Sequence, residues 1–348
     1  MRSIKRIAVL LSIVLSYPLP ASDACRERAI KTAAKVEVSD GSYFDTETFY
    51  QSPEFSAIRH IRDDTQLVAV EGPFAWLSRG EKSQTGGENL KQFALGHQFH
   101  ALLLDFDEVV SGIEEKSGVK LQGGSHRGKG GGYPYGGEII LVHDEAEPHP
   151  RGLVLTLPET PRMEITFSNW RKQDGTSLPF AIEIDDGSHV FSYTYTRVEI
   201  LQASPLWYMD ALEAPAIDEL QIYRLHRRLL AAHCMGDADM MADLSLPETI
   251  ISGRGALNGV NREAMRSRFV DVFAQVDYLH YEDLVEPVIE VSESADIGWI
   301  AVNVRSRGSV IYSGQVFDDQ WSWIMLAKKV DGQWLNAGNA SNRLTRPD

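Results

Sequence analysis

Two histidines, His226 and His233, stand seven residues apart in a run with helical periodicity, with Leu229 between them. Spacings of three and four put all three side chains on one helix face. An imidazole on such a face can move a proton or hold a hydrogen bond near neutral pH. Trp299, Trp321 and Trp323 lie in strand-like runs further on, the last two on one strand face. Brought together, these six residues would make an aromatic ligand pocket with a histidine in its wall. The same six would equally make a filled core with histidines at its rim.

Other groupings offer less chemistry. His97 and His100 share a helix face, but no carboxylate or cysteine stands at ligand spacing, so packing is the reading and no metal is expected. His143, Asp144, Glu145 and His149 adjoin Pro148 and Pro150, which marks an exposed acidic loop. The run from Gly123 to Lys129 fits the first seven places of a phosphate-binding loop. Gly130 then stands where a magnesium-binding hydroxyl is required, and Gly131, Gly132 and Pro134 forbid the helix that must follow. The run reads as a flexible surface loop, and no cofactor is expected.

Elements must position these residues, and composition bounds what the elements build. The chain has 348 residues, 34 Lys+Arg against 49 Asp+Glu, and a formal net charge of −15. Apolar residues make up 43%, an ordinary globular fraction. The acidity argues against a nucleic-acid partner, which needs a basic surface. Residues 1–21 carry Arg2, Lys5 and Arg6, then an apolar run to Tyr17, then Pro18, Pro20 and Ala21. That pattern is expected to be a cleaved signal peptide, sending the chain to a bacterial periplasm or out of the cell. In such an oxidising space the two cysteines, Cys25 and Cys234, permit one disulfide. Two unpaired cysteines, one mobile and one buried, are the alternative.

Residues 54–200 alternate with a period of two, with turns at Gly72-Pro73, Asp174-Gly175 and Asp186-Gly187. Residues 88–106 break that pattern with helical spacing of Leu90, Phe93, Ala94, His97, Ala101 and Leu104. A curled antiparallel sheet with this helix across its open face would bury both apolar stripes. The stretch from Ile165 to Pro179, the Asp186-Gly187 turn and the strand through Val198 resemble the closing strands of the LolA-like family of half-barrels. That resemblance covers roughly residues 45–200 and implies a lipid-like ligand in an apolar mouth.

Residues 206–216 read as a linker. Beyond them comes a helix from Asp218, Gly236-Asp237, a short helix, a strand at 249–252 and a glycine loop to Gly259. A helix capped by Asn261 follows, then strands at 285–291, 298–305, 321–329 and from Trp334. Leu230 to Asp237, Phe269 and Lys328 to Trp334 carry a resemblance to the nuclear-transport-factor-2-like (SnoaL-like) cone family. The resemblance implies an α+β cone enclosing a small-ligand pocket, and an open sheet face on which such cones pair. Ketosteroid isomerase chemistry is not implied, because the matching positions hold Leu229, the neighbourhood of Gly253, and Ile324, none with the needed group.

The expected chain is therefore α+β: signal peptide 1–21, LolA-like half-barrel 22–205, linker 206–216 and cone 217–348. The expected role is binding of a small apolar or lipid-like ligand without catalysis. A SnoaL-type enzyme with His226 or His233 as acid/base, or an interaction module forming a homodimer through the cone sheet, are the rivals.

Overall fold

The computed structural model describes residues 25–144, 146–158, 160–253 and 255–344. The expected signal segment lies outside the described residues. Six strands come first: β1 (Glu27–Val38), β2 (Tyr43–Ser52), β3 (Phe55–Ile61), β4 (Thr65–Glu71), β5 (Phe74–Arg79) and β6 (Lys82–Gly86). Three short helices follow, α1 (Glu88–Gly96), α2 (Phe99–Leu104) and α3 (Phe106–Val109). Then come β7 (Ser111–Leu121), β8 (Gly124–Gly132), β9 (Glu138–His143), β10 (Gly152–Thr156), β11 (Met163–Gln173), β12 (Thr176–Asp185) and β13 (Val190–Ala203).

Each strand pairs antiparallel with its chain neighbour, except that β6 and β7 do not meet. Instead β1 pairs with β13, from Glu27 opposite Ala203 to Val38 opposite Phe191. The sheet of thirteen strands therefore has its first and last strands in the middle and β6 and β7 at its edges. The three helices joining those edges must cross the sheet. Leu95, Phe99, Leu102 and Phe106 bury themselves there against Val36, Tyr50, Leu153 and Tyr193. Each such side chain contributes about 1.5–3 kcal/mol when fully buried.

Two expectations change here. The helix over 88–106 is three pieces, not one. Gln98 sits at the first break, and its Nε2 donates to the carbonyls of Ala94 (3.1 Å) and Ala57 (2.8 Å), anchoring the break to β3. The glycine-rich run is not a loop but strand β8, paired with β7 and β9. Its glycines permit close approach: a Cβ on Gly130 would stand 2.7 Å from Ile140 Cγ1, and one on Gly131 would stand 2.3 Å from the Ser111 carbonyl.

The second half holds α4 (Trp207–Ala211), α5 (Asp218–Met235), α6 (Ala238–Asp243), β14 (Ser245–Gly253), β15 (Ala256–Asn261) and α7 (Arg262–Phe273). Strands β16 (Val276–Asp283), β17 (Val288–Val291), β18 (Ile297–Val310), β19 (Val316–Val330) and β20 (Gln333–Arg343) complete it. The second sheet runs β15-β14-β20-β19-β18-β16, with β17 also on β18. Among the described residues only β14 and β20 pair parallel. Caps set the helix ends: Gly236 takes φ +64° after α5, and the carboxylate of Asp237 accepts from the amide of Met240 at 2.8 Å. The side-chain oxygen of Asn261 accepts from the amide of Ala264 at 2.9 Å, which starts α7. The expected glycine loop before Asn261 is β15, and β16 was not anticipated at all. That strand is half-buried nearly throughout and slips register between Tyr278 and His280, so no period of two marks it.

The two sheets share a core. Phe49, Phe55, Ala57, Ala69 and Trp76 on one side of the first sheet pack with Leu220, Tyr223 and Leu225 of α5. Arg224 donates three hydrogen bonds of 2.6–3.0 Å to the fully buried carboxylate of Glu71. Cys25 and Cys234 are joined as a disulfide with Cα atoms 5.6 Å apart, tying the lead-in to β1 to the end of α5. Residues 206–216 are not an open tether. Leu206, Tyr208, Met209 and Leu212 are buried, and the Tyr208 hydroxyl donates to the Ser56 carbonyl at 2.9 Å.

Candidate functional site

Helices α5, α6 and α7 lie over the second sheet and leave a cavity of about 250 Å3 between them. Alternation along β19 sends Trp321, Trp323 and Met325 to the helices, while Ile324 and Leu326 are 54% and 45% exposed on the other face. Phe269 and Val272 of α7 and Tyr278 and Tyr281 of β16 close the sides. Leu229 and His233 come from α5 one turn apart. Besides His233 and the two tyrosines, Ser245, Asn336, Asn339, Ser341 and Arg268 bring polar groups to the wall, and no carboxylate lines it among the described residues.

His233 sits in an aromatic box, with ring centroids 5.1–6.0 Å from Phe269, Phe273, Tyr278 and Tyr281. Burial holds its pKa down at about 4, against the small opposing pull of the Leu229 carbonyl. The ring is therefore neutral at pH 7. That carbonyl can only accept, so the proton is on Nδ1, which donates to it at 2.8 Å. Nε2 is then left as a bare acceptor. Burial also pushes the hydroxyl pKa values of Tyr278 and Tyr281 up, so both stay neutral donors.

Of the six residues singled out from the sequence, the fold brings Leu229, His233, Trp321 and Trp323 to this cavity. His226 does not reach it. Its side chain is fully buried, and Nε2 donates to Oδ1 of Asp283 at 2.8 Å. Burial works against ionisation of Asp283, but His226 and Arg227 outweigh it and hold the carboxyl below its ordinary range. Trp299 does not reach the cavity either. It pairs with exposed Leu326, whereas Trp321 and Trp323 pair with buried Val304 and Val302, so Trp299 faces the opposite side of the sheet. Of the positions matched to ketosteroid isomerase groups, Ile324 is likewise on that outer face.

Sequence reasoning missed Arg268, Tyr278 and Tyr281. The tyrosines lie on the strand that carried no period, and Arg268 was one of three arginines on a helix read only for its apolar stripe.

A second cavity of about 610 Å3 opens between α1 and the first sheet. Phe44, Phe93, Phe99, Phe191 and Tyr193 line it, together with His60 and His97. Burial pushes the His60 pKa down to about 4, and its Nε2 is buried without a hydrogen-bond partner. His97 Nδ1 donates to the Phe93 carbonyl at 2.8 Å, while His100 donates to the Pro179 carbonyl at 2.8 Å, so the two share no common point. No cluster of three or more metal-ligating residues occurs among the described residues. No helix among them is long and apolar enough to cross a membrane.

No family model and no curated protein matches the chain. Solved structures do. A ketosteroid isomerase-like protein from Erwinia carotovora atroseptica is similar at 18% identity and a TM-score of 0.33, over 37% of this chain and 98% of its own. A nuclear transport factor 2 (NTF2-like) superfamily protein from Salmonella enterica serovar Typhimurium is similar at 10% identity and a TM-score of 0.33, over 38% of this chain and 94% of its own. An NTF2-like protein from Cytophaga hutchinsonii is similar at 15% identity and a TM-score of 0.30, over 35% and 95% respectively.

Proposed function

We propose that the protein binds a small apolar ligand in the cavity of its second half, a cone of the nuclear-transport-factor-2-like kind, without transforming it. The carrying observation is the wall of that cavity: aromatic rings, a neutral His233, and no carboxylate among the described residues to act as its base or partner. Acid–base catalysis needs a group poised near the working pH, and His233 sits well below it.

The first half is proposed as a LolA-like half-barrel holding a lipid-like molecule in the larger cavity. Strand order supports this, with β1 beside β13 and three helices laid across the curled sheet. The proposed setting is periplasmic or secreted. The pairing of Cys25 with Cys234 suits an oxidising space.

Native mass spectrometry of the purified full chain, with organic extraction of what it carries, tests the binding reading. A retained small molecule is the expected result. Persistently empty protein that also excludes apolar dyes overturns it.

A specific feature favours pairing of two copies as a further property. Ile324, Leu326, Ile297 and Val288 are 44–56% exposed, and all lie on strands of the second sheet. The outer face of this sheet is proposed as a homodimer contact. Light scattering after size exclusion should return twice the chain mass, and a strict monomer contradicts it.

A further inference from the structure

We propose that the ligand of the cone cavity is a small aromatic carboxylate, with its ring system among Trp321, Trp323 and Phe269 and its carboxylate on the guanidinium of Arg268. The proposal rests on the reading of the cone as a ligand site and names the ligand's class.

The three arginines of α7 differ in how their charges are met. Arg262 donates through Nε to the Ser245 carbonyl at 2.9 Å. Arg266 is held by Asp239 at 2.5 Å and Glu263 at 3.1 Å. Arg268 is exposed and has no ion pair or hydrogen bond to another described residue. The chain carries 49 Asp+Glu against 34 Lys+Arg, so an unanswered arginine is unexpected wherever acids are near.

Its position gives the missing partner a place. Arg268 lines the cone cavity and also an adjoining space of about 650 Å3, and the two share Ile251, Trp321 and Ser341 as walls. Arg268 thus stands between the two spaces. No carboxylate lines either space among the described residues. Arg343 lines the adjoining space too, but Asp319 answers its charge at 2.5 Å. What remains beside Arg268 in the adjoining space is neutral: Asn258, Asn342 and Ser341.

Chemistry then narrows the ligand. A guanidinium fork matches a carboxylate with two parallel hydrogen bonds. A phosphate would call for more charge than one arginine supplies. The interior volume of about 250 Å3 falls below the roughly 300–1,000 Å3 of pockets for drug-sized ligands. A flat one- or two-ring body stacks on indole and phenyl faces with little entropy to lose.

The test is calorimetric titration of the full chain at pH 7 with 2-naphthoate and, separately, with its methyl ester. The acid is expected to bind at least tenfold more tightly than the ester. Arg268→Gln should bring the acid to the ester's level while leaving the ester unchanged, and Arg268→Lys should restore part of the difference. Thermal melts should show all three proteins equally folded, because Arg268 is exposed. An ester that binds as tightly as the acid, or an Arg268→Gln protein that keeps the acid's affinity, overturns the proposal and spares the ligand-site reading. Failure of both compounds to bind overturns the two together.

Discussion

Nε2 of His226 donates to Oδ1 of Asp283 at 2.8 Å, and the imidazole stands edge-on 5.7 Å from the indole of Trp323, a wall of the cone cavity. This buried pair ties α5 to the end of β16, and Arg227 adds a longer contact of 3.5 Å to the other carboxylate oxygen. The pair stands behind Trp323 and does not line the cavity.

Asp283→Leu should therefore cost about 3–5 kcal/mol, because it leaves His226 and Arg227 buried without their anion. The Asp283 carboxyl is held below its ordinary range in the folded protein. Its stabilisation is present above the unfolded carboxyl value and is lost as pH falls through the folded one. Urea melts at pH 7 and pH 3 check this. The variant should lie far below the native chain at pH 7 and closer to it at pH 3. Equal midpoints at pH 7 contradict it.

Acid should weaken the fold from about pH 6.5 downward. His60, His100 and His233 are each pushed down to about 4 by burial. Unfolded histidines bind protons near pH 6.5, so between 6.5 and 4 the unfolded chain holds more protons than the folded one. Stability is full above 6.5 and falls as pH drops towards 4, by roughly 3 kcal/mol for each histidine. Denaturation midpoints from pH 7 to pH 4.5 should fall steadily, and His100→Gln should flatten the slope. A flat profile would refute the buried neutral rings.

Much of this arrangement was legible in the chain, for identifiable reasons. Helix α5 carried its apolar stripe between a charged start at Asp218 and the Gly236 end, so it was placed closely, and with it Leu229 and His233. Strands β11 to β13 alternate with turns at Asp174-Gly175 and Asp186-Gly187, and these too were readable. Strand β8 was not, because glycine has no side chain to alternate and its use there is close packing against β9 and β7. Nor was the seam. Glu71 and Arg224 lie 153 residues apart, and nothing local marks either as half of a buried pair. Trp299 was grouped with the other tryptophans by residue type, but strand register sends it to the opposite face.

The disulfide should matter for stability. Cys25 and Cys234 are separated by 209 residues, and the bridge closes a long loop in the unfolded chain. Cys25→Ser is expected to lower unfolding free energy by about 2–5 kcal/mol. Melts with and without a reductant should differ for the native chain and coincide for the variant. A native chain indifferent to reductant would contradict this.

Two glycines should respond oppositely to alanine. A Cβ on Gly152 would stand 1.9 Å from the Ile165 carbonyl, and Gly259 has nothing within 4 Å. Gly152→Ala forces backbone apart within the first sheet and should cost about 1–3 kcal/mol or more. Gly259→Ala should be nearly neutral. Equal effects in chemical denaturation would show that β10 and β11 are not so closely apposed.

A small ligand is proposed to sit in the cavity over the second sheet. The most direct measurement titrates the neutral apolar dye N-phenyl-1-naphthylamine into the native chain, Val272→Trp and Thr160→Trp. Val272 lines the cavity over the second sheet and Thr160 the cavity over the first, so each substitution adds bulk at one space and spares the other. Val272→Trp should abolish a saturable fraction of the dye fluorescence that Thr160→Trp retains. A fluorescence rise unchanged by Val272→Trp would contradict it.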